Sequence, residues 1–160
     1  QRQEVGAVGS KLIFPDGRIQ HAGDIVGVGE IAAHAFYGLP SGDPGYFGLP
    51  HIVRNCSCVT AACMMVRRAV FEELGGFDER LRVEYGDVDF CLRAGTRGYR
   101  VIYTPYAVLR HEEGGTRGRQ GRPSDPQEFR RRWHHVLRDG DPYYNPNLDR
   151  LTPYRIRLTK

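Results

Sequence analysis

Residues 59–111, VTAACMMVRRAVFEELGGFDERLRVEYGDVDFCLRAGTRGYRVIYTPYAVLRH, constrain the fold most, because the hydrophobic period changes along the run. Residues 59–66 are almost unbroken apolar residues, the pattern of a strand covered on both faces. Residues 67–74 hold helix formers and stop at Gly75-Gly76. Val88, Cys91, Leu92 and Gly95 then fall at i, i+3, i+4 and i+7. That is one face of a helix starting near Gly86 or Asp87 and closed by Gly95 and Gly98. Residues 99–103, YRVIY, have strand composition until Pro105 interrupts. Asp87 and Asp89 are therefore expected in the first turn of a helix beside a sheet, and a cleft there is the place to look for chemistry.

Before this stretch, residues 5–14 (VGAVGSKLIF) read as strand entering a Pro15-Asp16-Gly17 turn, where proline presets φ and glycine accepts a positive one. Residues 18–28 return as a weaker, glycine-containing second strand. Residues 30–50 are rich in glycine, proline and aromatics, and a loop that long is more often functional than idle. After His111 periodicity is lost, and residues 112–126 read as a flexible loop. A C-terminal helix and tail fill residues 126–160: Phe129, Trp133, Val136 and Leu137 share one helical face, with Ser124 or Asp125 as N-cap. Residues 141–148 (DPYYNPNL) hold Pro142 and Pro146 and are expected to be irregular.

At 160 residues, 40% hydrophobic and 26% charged, the chain is expected to be one folded domain. It contains no apolar run of about 18 residues and begins without a signal-peptide pattern. Neither a membrane span nor a secretion address is expected in it, which says nothing of a longer parent protein. The net charge of +4 is concentrated at residues 110–138, where eight arginines face four acids. Such a segment suits phosphates, anionic headgroups or nucleic acid, and equally a solvated basic surface. Cys56, Cys58, Cys63 and Cys91 match common zinc spacings poorly and read as buried thiols of a reducing compartment.

Each candidate site residue has a plain alternative. Asp87 and Asp89 suit a general base at a cleft mouth, and equally the dipole of a helix start. His111, followed by Glu112 and Glu113, suits a metal ligand, a general acid or a satisfied loop residue. His21, His34, His51, His134 and His135 show no ligand spacing. The TRGRQGR run with Arg117, Arg119 and Arg122 reads as an RG-type nucleic-acid tract or as a loop closing over a phosphate leaving group.

Four collinear stretches, residues 5–23, 59–81, 85–118 and 141–148, resemble the C-terminal half of family 2 glycosyltransferases of the GT-A fold, the last suiting the bacterial cell-surface polysaccharide branch, with its rhamnosyltransferase-like members. The resemblance implies an α/β fold, the C-terminal portion of a nucleotide-diphospho-sugar transferase, with a mixed sheet and flanking helices. It implies one domain over residues 1–160, the acceptor-side half of a catalytic domain. The implied reaction moves a sugar, with inversion, from a nucleotide-diphosphate donor to the hydroxyl of a glycan or lipid-linked acceptor.

Carried over residue by residue, Asp87 matches the base that deprotonates the acceptor. The acid that commonly precedes it is replaced here by Gly86. Asp89 matches a second acid that supports the helix or acceptor site, and Gly76, Phe77 and Asp78 match the acceptor-side turn. His111 matches a ligand of a divalent metal, Mg or Mn in the complete enzyme, and Arg117 a donor-diphosphate contact. The family's nucleotide-binding half, with its Asp-x-Asp metal motif, precedes the stretch matched by residue 5. Asp87-Val88-Asp89 belongs to the other motif. The chain is thus expected to be an inactive fragment that binds no metal alone, cytoplasmic or membrane-associated through its parent, without a nucleic-acid partner, and prone to homodimerise through the open half-sheet. A non-catalytic carbohydrate- or partner-binding module is the alternative, with the aromatic loop at residues 36–47 and Tyr143-Tyr144 stacking on sugar rings.

Overall fold

The computed structural model describes residues 2–112, 124–151 and 153–154. In chain order the strands are β1 (Val5–Ile13), β2 (Ile19–His21), β3 (Asp24–Val26), β4 (Ala32–His34), β5 (Arg54–Asn55), β6 (Met64–Val66) and β7 (Arg100–Arg110). The helices are α1 (Arg68–Glu73), α2 (Gly86–Thr96) and α3 (Ser124–Asp139). β1 is the centre of a mixed sheet. It runs parallel to β7 on one side and antiparallel to β2 and β6 on the other, each at a different end, while β7 pairs antiparallel with β5. β3 and β4 form a separate antiparallel hairpin. This is the α/β arrangement with a mixed sheet and flanking helices that the sequence implied. None of the described helices is long and apolar enough to cross a membrane.

The glycines of VGAVG have a packing reason. A Cβ at Gly9 would lie 2.4 Å from the Cβ of Val59, and one at Gly6 would lie 2.9 Å from the Cβ of Tyr99. The chain crosses β1 at backbone distance in both places, which only glycine permits. Val59 belongs to the core: with Ile25, Cys91, Tyr103, Phe129 and Trp133 it is part of one buried cluster joining the sheet, the β3–β4 hairpin, α2 and α3.

Four expectations are corrected. Residues 59–66 are not one doubly covered strand: Ala61–Cys63 is a single 3-10 turn, and only Met64–Val66 pairs with β1, with Met65 77% exposed. Their apolar run fills a crossing over Gly9 rather than a ladder. Pro105 does not end β7; the pairing jumps from Ser10↔Thr104 to Lys11↔Val108, so the prolyl segment bulges and the strand resumes. Residues 18–28 form two strands, β2 and β3, separated by a turn at Gly23 with φ 84°. The sequence placed the last helix from residue 126; it begins at Ser124. Apart from those edges, the expected loop at residues 112–126 lies largely outside the described residues.

The long segment at residues 35–51 is tied down rather than loose. Lys11, 5% exposed, donates from Nζ to the carbonyl of Ser41 at 2.7 Å. Ile19 and Leu39, Gly38 and Ile19, and Ser41 and Gly17 exchange backbone hydrogen bonds. The hydroxyl of buried Tyr103 donates to the carbonyl of Pro50 at 2.8 Å. All four cysteines are free thiols, and burial pushes that of Cys56 up to about 12. They behave as small apolar residues.

Candidate active site

Helix α2 starts after Tyr85, which takes a left-handed conformation at φ 63°. The two aspartates of its first turn diverge, as neighbours two apart on a helix must. Asp87 is half-buried. Its Oδ2 accepts the Ala61 N–H at 2.8 Å and its Oδ1 accepts the Val88 N–H at 2.9 Å. These bonds fix the carboxylate against the 3-10 turn that follows Val59, and each oxygen keeps a further lone pair. A Cβ at Gly86 would come 3.2 Å from the carbonyl of Leu81, so the position before the carboxylate is crowded by backbone.

Asp89 turns into the core and has no exposed surface. Its Oδ2 accepts Arg93 Nε at 2.7 Å; its Oδ1 accepts Arg132 Nη1 at 2.6 Å and the indole N–H of Trp133 at 2.9 Å. Arg93 also donates to the carbonyls of Leu74 and Gly76, at 2.6 and 2.7 Å. Arg132 reaches Asp78 Oδ2 at 2.5 Å. One ionic network therefore joins Asp89, Gly76 and Asp78 and docks α3 against α2. Hydrogen bonds from Arg80, side chain and backbone, and from Arg132 hold the Asp78 carboxyl below its ordinary value despite its partial burial. Gly75 and Gly76 both have positive φ, 72° and 71°, which this turn requires. Phe77 packs its ring on Phe71 and Phe90 and is 43% exposed.

His111 stands just after β7, its N–H on the carbonyl of Ile13 at 3.1 Å and its Nδ1 2.8 Å from Gln20 Oε1. An amide oxygen only accepts, so Nδ1 carries the proton and Nε2 keeps its lone pair. That is the tautomer of a histidine that ligates through Nε2 with its other nitrogen braced. His111 belongs to no group of three ligand-type side chains among the described residues. Arg117 lies outside the described residues.

The structure brings together three residues that the sequence left apart. Asp24 and His34 are cross-strand partners in the β3–β4 hairpin, and His21 comes over the Gly23 turn. Asp24 Oδ1 lies 3.1 Å from His21 Nδ1 and 2.5 Å from His34 Nδ1, and the two nitrogens are 3.3 Å apart. His21 has no exposed surface and Asp24 5%, whereas the His34 side chain is 39% exposed. Burial works to raise the Asp24 carboxyl, but the two histidines outweigh it and hold it well below the usual range.

These atoms are spaced closely enough to hold a small cation, yet the protons argue otherwise. The Gly23 N–H donates to His21 Nε2 at 3.2 Å, so that nitrogen is the acceptor and Nδ1 carries hydrogen toward Asp24. A metal on Nδ1 would move the proton to Nε2, where it would face the Gly23 N–H. The carboxylate clamps two imidazoles, and the set is satisfied without an ion. Only the hairpin register, invisible in linear spacing, could have found it.

A second Asp-x-Asp in the sequence, Asp139-Gly140-Asp141, is no metal clamp either. Exposed Asp139 pairs with Arg138 at 2.7 Å. Asp141 accepts the N–H groups of Val26 and Tyr143, both at 2.8 Å, and burial raises its pKa. The residues after α3 are thereby pinned to β3.

No family model matches the chain. It is 45% identical over 153 residues to the O-antigen biosynthesis protein RfbC of Myxococcus xanthus, which covers 92% of this chain and 12% of that protein. It is 42% identical over 155 residues to the uncharacterized protein y4gI of Sinorhizobium fredii, covering 92% of this chain and 17% of that one. An N-acetylglucosaminyl-diphospho-decaprenol L-rhamnosyltransferase of Mycobacterium tuberculosis is 38% identical over 66 residues, 41% of this chain and 22% of the enzyme. The chain thus spans less than a quarter of the length of each of these relatives. Over 92% of its length the chain is thus similar to a segment of a bacterial O-antigen biosynthesis protein, and over 41% to a segment of a rhamnosyltransferase, and its mixed sheet with flanking helices is the α/β architecture expected from the resemblance.

Proposed function

We propose that this chain is the acceptor-binding, base-bearing half of an inverting family 2 glycosyltransferase that builds cell-surface polysaccharide. The observation that carries the reading is Asp87, fixed by the Ala61 N–H at the mouth of α2 in a chain so similar to an O-antigen biosynthesis protein. In this reading Asp87 takes the proton of the acceptor hydroxyl as that oxygen attacks the anomeric carbon of a nucleotide-diphosphate sugar. Geometry supplies most of the effect: the carboxylate is held by two backbone N–H groups, so no rotamer search precedes proton transfer. A glycan or lipid-linked hydroxyl is the expected acceptor.

The buried Asp89–Arg93–Arg132–Trp133 network supports rather than reacts, keeping α2 and the Gly76–Asp78 turn in register with α3. His111 would hold a divalent cation, Mg or Mn, through Nε2, with carboxylates from outside this chain. When bound, such an ion offsets the charge of the departing diphosphate, and Arg117 is assigned to the same diphosphate. The base lies here and the first part of the metal clamp elsewhere, so the chain alone is inactive.

Calorimetric titration with UDP, GDP and dTDP, each with and without Mn, tests the division of labour. The reading expects no metal-dependent binding to this chain. Micromolar, Mn-dependent binding would mean that the donor site is complete within it and would overturn the division.

A further inference from the structure

A slot of about 440 Å³ lies between the C-terminal halves of α2 and α3, within the size range of small-ligand sites. Its floor is Cys56, Cys91, Val101 and Trp133, each 5% exposed or less, and Leu92, Tyr99 and Val136 form the sides. Asp87 is not among the lining residues, but Cys91, one turn further along the same helix, is. We infer that this slot is a chain site that takes the isoprenoid carbons of a polyprenyl-linked acceptor. The choice of that chain rests on the transferase reading above, which admits a lipid-linked hydroxyl as acceptor.

The lining is apolar because its polar atoms bond inward. The Cys91 thiol donates to the carbonyl of Val59 at 3.8 Å, and that of Cys56 to the carbonyl of Val101 at 3.9 Å. The indole N–H of Trp133 donates to Asp89, so the ring offers the slot its hydrocarbon surface. The Ser57 side chain hydrogen-bonds the Asp141 carboxyl. At the mouth, Thr96 donates to the carbonyl of Arg93 at 2.8 Å, and Asp139, the carboxylate of the lining, is paired with Arg138 at 2.7 Å. A neutral apolar chain enters such a slot without stripping water from an unpaired charge, whereas a sugar would lose its hydration for few partners.

Two features select a branched chain. The lining runs from Cys91 to Thr96 on α2 and from Trp133 to Asp139 on α3, about 7–9 Å along each axis. That is the form of a chain rather than of a disc. The second feature is Gly95, which opens one wall. Its backbone is helical, and beyond its own helical turn a Cβ there would meet nothing within 4 Å. Glycine is a poor helix former, and here neither a left-handed φ nor close packing requires it. Its effect is a notch in the wall. A methyl branch fills the notch and gains dispersion contacts that a straight alkyl chain leaves unmade.

Trp133 is the only tryptophan of the chain, so its emission reports on the slot directly. The chain is titrated with farnesyl phosphate, with dodecyl phosphate as the straight chain of equal length, and with methyl phosphate as the head group alone. The inference expects a saturable change in emission with farnesyl phosphate at about 10–100 μM. Dodecyl phosphate should bind about tenfold more weakly, and methyl phosphate should give no response. Gly95→Ala favours the helix and fills the notch; it should weaken farnesyl phosphate about tenfold and change dodecyl phosphate less than about twofold. No saturable response, a response to methyl phosphate equal to that of farnesyl phosphate, dodecyl phosphate bound as tightly as farnesyl phosphate, or Gly95→Ala without effect would each overturn the inference. None of these outcomes touches the transferase reading, which Asp87 decides. Conversely, a fully active Asp87→Asn protein would remove that reading and leave a measured chain site standing.

Discussion

Replacing Asp89 by asparagine keeps the shape of the side chain and removes its charge from a site with no exposed surface. Both oxygens face only donors: Arg93 at one, Arg132 and Trp133 at the other. Whichever way the amide turns, its NH₂ meets an N–H group. Removing one partner of a buried ion pair costs about 3–5 kcal/mol. The lower end applies here, because Arg93 and Arg132 are about one-fifth exposed and keep Leu74, Gly76 and Asp78 as partners. With a urea m-value of about 2 kcal/mol/M, a loss of about 3 kcal/mol lowers the unfolding midpoint by about 1.5 M. Far-UV circular dichroism reads the transition. A double-mutant cycle with Trp133→Phe should return a coupling of about 1–2 kcal/mol. A loss below about 1 kcal/mol, the scale of an exposed pair, would refute the claim that this network docks α3 onto α2.

Other perturbations follow from the same structure. Gly9→Ala places a Cβ 2.4 Å from that of Val59, and this overpacking should cost about 1–3 kcal/mol in the same urea assay. The Asp78 carboxyl is depressed in the fold, so its stabilisation is complete above its unfolded value near 4 and is lost as pH falls through the lower folded value. Wild type should therefore lose more stability than Asp78→Asn in an acid titration between about pH 5 and 2. Asp141→Ala leaves the Val26 and Tyr143 N–H groups without their carboxylate, and hydrogen exchange at both amides should accelerate while β1 and β7 stay protected.

How much was legible depended on whether a residue acts along the chain or across it. The i, i+3, i+4, i+7 spacing of Val88, Cys91, Leu92 and Gly95 gave α2 because a helix writes its buried face locally. β1 and its Pro15-Asp16-Gly17 turn were equally plain. The apolar run at residues 59–66 misled because Val59 is buried by crossing Gly9, a contact fifty residues away that composition renders the same as a strand. Pro105 looked like an end because a bulge three residues wide in β7 is visible only against the register of β1. Within the site, spacing names Asp87 and Asp89 without separating them, and only the resemblance gave them different roles; the burial of Asp89 comes from α3, whose Arg132 and Trp133 carry no mark of that partnership. The His21–Asp24–His34 clamp is a product of hairpin register alone.

The central claim, that Asp87 is the proton acceptor of a sugar transfer, is tested most directly by Asp87→Asn in the protein that carries this segment. The assay is single-turnover transfer to a lipid-linked acceptor. The variant keeps an oxygen for the Ala61 N–H, so the fold should survive. The account predicts a fall in the rate of transfer of about 10²–10⁴-fold with acceptor binding nearly unchanged. Undiminished transfer by a folded Asp87→Asn protein would contradict it.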